Sequence, residues 1–207
     1  MPQWRNRQRC TAGLGGLFAV VLAALAAAPA LAASSGTPLA TAACPAPQLS
    51  QPLLWAGDAH WYTLMPGEAT DSFTGEGWTL TGGATIIRTT LAGGQTGTVL
   101  NLPSGSQAIS PTICVASDYA TGRTMVRNVV GAEGVAFSVS YVGTRTATSP
   151  QNTGQIHGSH NAWTLSNPVN LHPANGSAWQ YVNFTFTPGG TTSDFQIYNF
   201  YVDPRNT

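Results

Sequence analysis

Histidines cluster once in this sequence, at His157-Gly158-Ser159-His160, with His172 further on. Three imidazole nitrogens suit a zinc ion and would leave one position open for water, the arrangement of a metal-dependent hydrolase. The surrounding loop is rich in Gly and Ser, and no neighbouring acid fixes the ring tautomers. Solvated loop histidines are the plainer reading, and neither a metal nor a cofactor is expected. A serine hydrolase would need a nucleophile on a Gly-x-Ser-x-Gly elbow, and the chain has none. The acid pairs Glu68/Asp71 and Asp71/Glu76 lie in a turn-rich stretch and read as surface, not as two carboxylates flanking a cleft. There is no lysine, which excludes Walker-type phosphate binding and disfavours a lyase acting on anionic sugars.

Aromatic side chains offer a different chemistry. Trp55, Trp61, Trp163 and Trp179 fall at segment ends or in loops. Exposed rings there can stack on sugar faces, so these four are the candidate ligand contacts. Trp78 sits in mid-strand and reads as core.

The elements that must position these rings follow a period of two. After Trp55 the chain runs through Trp61-Tyr62-Thr63-Leu64, Gly77-Trp78-Thr79-Leu80, Ala84-Thr85-Ile86-Ile87-Arg88 and Thr98-Val99-Leu100-Asn101-Leu102. Longer runs cover 123–129, 135–141, 181–186 and 195–202, with Gly and Pro turns between them. Such β-branched and aromatic runs read as strands. In the first long run, Thr124, Val126 and Asn128 share one face and Met125 and Val129 the other. Arg123 and Arg127 keep step with Met125, so one of them is expected to be buried and paired. Residues 143–177 are polar and read as long loops around one poor strand near Trp163. No helical period follows residue 32, and an all-β, antiparallel jelly-roll-like sandwich is expected.

The beginning of the chain is built differently. Arg5, Arg7 and Arg9 precede an apolar run from Leu14 to Leu31 that ends in Ala30-Leu31-Ala32. This pattern is an export signal, cut after Ala32 or close by. The expected organisation is a signal peptide over 1–32, an Ala/Pro/Ser/Thr-rich neck over 33–52 and a β-sandwich over 53–207, with secretion as the destination. Cys10 leaves with the signal, whereas Cys44 and Cys114 stay and read as one disulfide. The loop it closes has 71 residues, and chain entropy assigns such a bridge about 4 kcal/mol. Without the leader, five arginines face eight acids, a formal charge of −3. An acidic domain has no electrostatic hold on nucleic acid, and no membrane partner is expected once the signal is removed.

Gly77-Trp78-Thr79-Leu80 and Gly82-Gly83-Ala84, together with the closing run Phe195-Gln196-Ile197-Tyr198-Asn199-Phe200-Tyr201-Val202-Asp203, resemble galactose-binding-like jelly rolls, among them many carbohydrate-binding modules. The chain is also similar to a group of secreted actinobacterial proteins, through Trp55-Ala56-Gly57-Asp58, Leu100-Asn101-Leu102-Pro103, Ser110-Pro111-Thr112-Ile113-Cys114-Val115 and Tyr201-Val202-Asp203-Pro204. The resemblance spans roughly residues 44 to 205, the whole mature domain. Such modules often hold a structural calcium with acids in an opening and a closing motif. Here those motifs read Asp71-Ser72-Phe73-Thr74 and Ile197-Tyr198-Asn199, so two hard oxygen ligands are replaced. The resemblance implies a non-catalytic module for an extracellular or cell-envelope glycan. The alternatives are a structural or adhesive surface protein that binds another protein, and a metal-dependent hydrolase using the His157 to His172 loop.

Overall fold

The computed structural model describes residues 46–116, 120–132, 134–142, 151–171 and 179–204. Among the described residues a 3-10 turn, Leu54–Ala56, precedes the strands. These run as β1 (Thr63–Leu64), β2 (Glu68–Ala69), β3 (Ser72–Phe73), β4 (Thr79–Thr81), β5 (Thr85–Thr90) and β6 (Thr96–Pro103). There follow β7 (Gln107–Ile109), β8 (Ile113–Ala116), β9 (Thr121–Val130), β10 (Val135–Tyr141) and β11 (Gln151–Ile156). The chain closes with β12 (Ser159–His160), β13 (Thr164–Leu165), β14 (Val169–Asn170), β15 (Trp179–Pro188) and β16 (Asp194–Asp203).

Two sheets result. The larger runs β12-β9-β16-β6-β3-β2, with β1 on β16, β13 and β14 on β9, and β5 on β6. The smaller runs β11-β10-β15-β7-β4, with β8 on β15. The core lies between them. Leu100, Leu102, Val126, Phe195, Ile197, Phe200 and Val202 of the larger sheet meet Ala108, Val135, Phe137, Val139, Val182, Phe184 and Phe186 of the smaller. This is the β-sandwich that the two-residue rhythm predicts. The 123–129 alternation also holds: Thr124 and Val126 are fully buried on the inner face, while Met125 joins an outer cluster with Leu91, Val99 and Tyr198.

The one poor strand expected near Trp163 is present as β13, but residues 151–170 hold more strand than the long loops expected around it. They form β11, the edge strand of the smaller sheet paired with β10, and three short strands against β9. Backbone groups do the pairing, so the polar side chains of this stretch carry little trace of it; Ile156 alone in β11 is a buried apolar anchor.

β16 carries the irregularity that matters most. Against β9, Tyr198 pairs with Met125 and Tyr201 with Arg123, so one residue is extra. Asn199 takes it up at φ 54°. Such a bulge reverses the phase of alternation. Ile197 and Phe200 therefore both point into the core, while Tyr198 joins the outer cluster.

Candidate functional site

The chain joins the fold at Ser50, whose N–H and C=O pair with Tyr62 at 2.9 and 2.7 Å. Between them residues 51–61 form a compact loop. Gln51 Nε2 donates to Ala59 O, and the 3-10 turn ends on Gly57 at φ 76°, a conformation glycine adopts without strain. Leu53 is buried and anchors the loop, whereas Leu54, Trp55 and Trp61 point outward, with Trp55 70% and Trp61 44% exposed.

Asp58 ties this loop to the larger sheet. Its Oδ1 accepts the His60 N–H. Its Oδ2 accepts the Tyr62 hydroxyl at 2.8 Å and Arg123 Nη1 at 2.8 Å. Arg123 also donates through Nε and Nη2 to Ser166 O. Arg123 is thus the half-buried, paired arginine that strand parity anticipates. Burial pushes the Asp58 carboxyl up, but hydrogen bonds from Arg123, the His60 N–H and Tyr62 outweigh it and hold the carboxyl below its ordinary value. Burial, and then the Asp58 charge, push the Tyr62 hydroxyl up. Beside this network opens a recess of about 640 Å³, lined by Gly57, Asp58, His60, Trp61, Thr121, Arg123 and Pro168. His60 reaches Asp203 across 3.5 Å, from an exposed ring to a buried carboxylate.

A second recess, of about 360 Å³, takes Trp55 as one wall and Met125, Tyr198, Asn199 and Tyr201 from the outer face of β9 and β16 as another. Asp71 and Asn199 join there reciprocally: Asn199 Oδ1 accepts the Asp71 N–H at 2.8 Å, and Asn199 Nδ2 donates to Asp71 Oδ1 at 3.0 Å. Both residues have positive φ, 60° and 54°, a strained pairing of the kind that collects at ligand clamps.

The four predicted tryptophans separate. Trp55 and Trp61 each line a recess. Trp163 instead straps the outer face of the larger sheet: its Nε1 donates to Thr90 O at 2.9 Å, its ring meets Tyr198 edge-on at 4.7 Å, and Arg127 stacks on it at 4.7 Å. The side chain of Trp179 lies outside the described residues, as do His172 and Cys44. His157 and His160 are exposed, and His160 shares a hydrogen bond with Asn161. Among the described residues no group of three His, Cys, Asp or Glu side chains is arranged to hold a metal. Trp78 packs on the core against Phe73 and Phe186, as expected.

One expectation is overturned. The Glu68 carboxylate is not at the surface. It is buried while the rest of the residue is half-exposed; Oε2 accepts the Phe200 N–H at 3.0 Å, and Oε1 has no partner. A polar residue in a turn-rich stretch gave no sign that β16 would close over it. Asp58, Arg123, Tyr198 and Asn199 also escaped sequence reasoning as recess residues, because their partners lie far off along the chain.

No protein-family model matches this sequence, and neither does any curated protein. Solved structures do. The paired CBM22-1 and GH10 modules of Clostridium thermocellum endo-1,4-β-D-xylanase 10B, complexed with xylohexaose, match at TM-score 0.50 and 16% identity over 63% of this chain and 26% of that one. The CBM22-1 xylan-binding domain of Paenibacillus barcinonensis Xyn10C matches at 0.45 and 10% over 63% and 88%. TmCBM61 in complex with β-1,4-galactotriose matches at 0.40 and 10% over 65% and 92%. At these identities the likeness is one of fold.

Proposed function

We propose that this chain is the non-catalytic binding module of a secreted protein, and that it recognises an extracellular or cell-envelope carbohydrate at the Trp61 recess. One observation carries the reading. An exposed indole, Trp61, lines the same recess as the polar groups Asp58, Arg123 and Tyr62, which are already hydrogen-bonded to one another. A sugar ring offers an apolar face to the one and hydroxyls to the others, and a pre-formed polar network lowers the ordering cost of binding. The fold shared with the xylanase modules complexed with xylohexaose agrees with this.

The recess lacks the pattern of a glycosidase. That chemistry needs an acid whose pKa is raised beside a second, ionised carboxylate. Asp58 is instead held down and saturated with donors. Replacing Trp61 by alanine is expected to weaken retention in affinity electrophoresis on xylan or β-1,4-galactan by about ten-fold, some 1.4 kcal/mol. Unchanged retention of W61A would remove the indole from the site. If the wild type migrates freely through every polysaccharide and instead captures a protein through Leu54 and Trp55, the adhesive alternative replaces this one.

The exported form carries a second expectation. Cys114 lies on β8, opposite Tyr181 of β15, and its proposed partner is Cys44. Protein harvested from the medium is expected to begin near Ala33 and to show no free thiol under denaturing, non-reducing conditions. Two reactive thiols per chain would contradict the bridge.

A further inference from the structure

We infer that the Trp55 recess is a second binding site, separate from the Trp61 recess, and that it takes an organic ammonium group. The contrast between two carboxylates carries the argument. In the Trp61 recess, Asp58 is neutralised by a guanidinium at 2.8 Å. In the Trp55 recess, the Asp71 oxygens are held by two neutral amides, Asn199 Nδ2 at 3.0 Å and Gln95 Nε2 at 3.1 Å. Among the described residues no Lys, Arg or His lines this recess. The Asp71 charge is therefore positioned but not compensated, and a carboxylate so placed favours a cation.

The remaining walls have the same preference. Trp55 and Tyr201 bring aromatic rings to the recess, with Tyr198 and Met125, both buried, beside them. Aromatic faces carry negative potential and attract ammonium groups, most strongly where water is excluded. Burial first, and then the Asp71 charge, push the Tyr201 hydroxyl up to about 12; the Glu68 carboxyl beside them is protonated near neutral pH and adds no charge of its own. The cations nearby along the sheet are engaged elsewhere, Arg127 with Gln196, Thr89 and the Trp163 ring and Arg123 with Asp58 and Ser166.

Two sources supply this chemistry. One is the primary amine of a hexosamine unit in a partly deacetylated polysaccharide, and the other is a quaternary ammonium head. Calorimetric titration of the mature protein at about pH 6, where a primary amine is protonated, distinguishes them. The probes are glucosamine oligomers, the same oligomers N-acetylated, and choline. Binding of the free-amine oligomers at least ten-fold tighter than of their acetylated twins supports the site and names the primary amine. Binding of choline supports it and names the quaternary head. In either case Asp71→Asn and Trp55→Ala are expected each to weaken binding about ten-fold, and added salt to weaken it further. Asn tolerates the left-handed backbone at position 71, so D71N removes charge without a new strain. Equal binding of free and acetylated oligomers, no binding of any probe, or full binding by D71N would overturn the inference. These titrations are read independently of polysaccharide retention at Trp61, so either proposal can fail without the other.

Discussion

Replacing Phe200 by alanine is expected to lower the stability of the domain by about 3–5 kcal/mol, the range for a fully buried phenylalanine cut back to a methyl group. Phe200 has no solvent exposure. It comes from the larger sheet and inserts among three rings of the smaller: Phe137 at 5.8 Å, Phe184 at 5.6 Å and Phe186 at 5.2 Å, each nearly edge-on. Edge-to-face pairs contribute beyond the area they bury, so the loss should fall in the upper part of the range. The surroundings are tightly filled on the β9 side. A Cβ added at Gly122 would stand 2.8 Å from the Phe200 ring, which is why a glycine occupies that strand position. Urea unfolding followed by tryptophan fluorescence measures the change. A loss below about 1 kcal/mol would mean that the ring cluster does not join the sheets as described.

Stability is also expected to fall as the pH rises from about 5 to about 9, and Glu68→Gln to abolish most of that fall. Burial pushes the Glu68 carboxyl up to about 8, from an ordinary 4.5, despite the backbone N–H groups of Phe200 and Asn199 that favour the ionised form. The folded protein then holds this proton more tightly than the unfolded chain. The contribution is fully present below about pH 4.5 and is lost as the pH climbs through about 8. Each unit of difference corresponds to about 1.4 kcal/mol, so the swing is of the order of a few kcal/mol. A glutamine can still accept the Phe200 N–H, yet it cannot ionise. The other titrating groups are common to both proteins and cancel in the difference. Urea midpoints for wild type and E68Q should converge near pH 5 and separate near pH 9, with the variant the more stable. Parallel curves across that range would show that the carboxylate is solvated.

These two residues show where sequence stops being informative. Phe200 is legible as an apolar side chain in a strand-like run, but its direction is not. Strict alternation through 195–202 would set Ile197, Asn199 and Tyr201 on one face. The bulge at Asn199 breaks that phase and sends Phe200 inward instead. What stabilises the bulge is the Asp71 hydrogen-bonded pair, 128 positions away along the chain. Glu68 is equally unreadable: its burial depends on β16 arriving overhead.

The sequence by itself determined the layered all-β architecture, most of the core and the inward set of β9. Each follows from local rules, since backbone pleating puts successive side chains on opposite faces and apolar ones seek the interior. Tertiary structure alone decided which indoles stay exposed, which carboxylate is neutralised by an arginine, which is left without a cation, and which is buried. Those outcomes depend on groups brought together only when distant strands close into sheets, and the free energy of a charge is set by its neighbours in space.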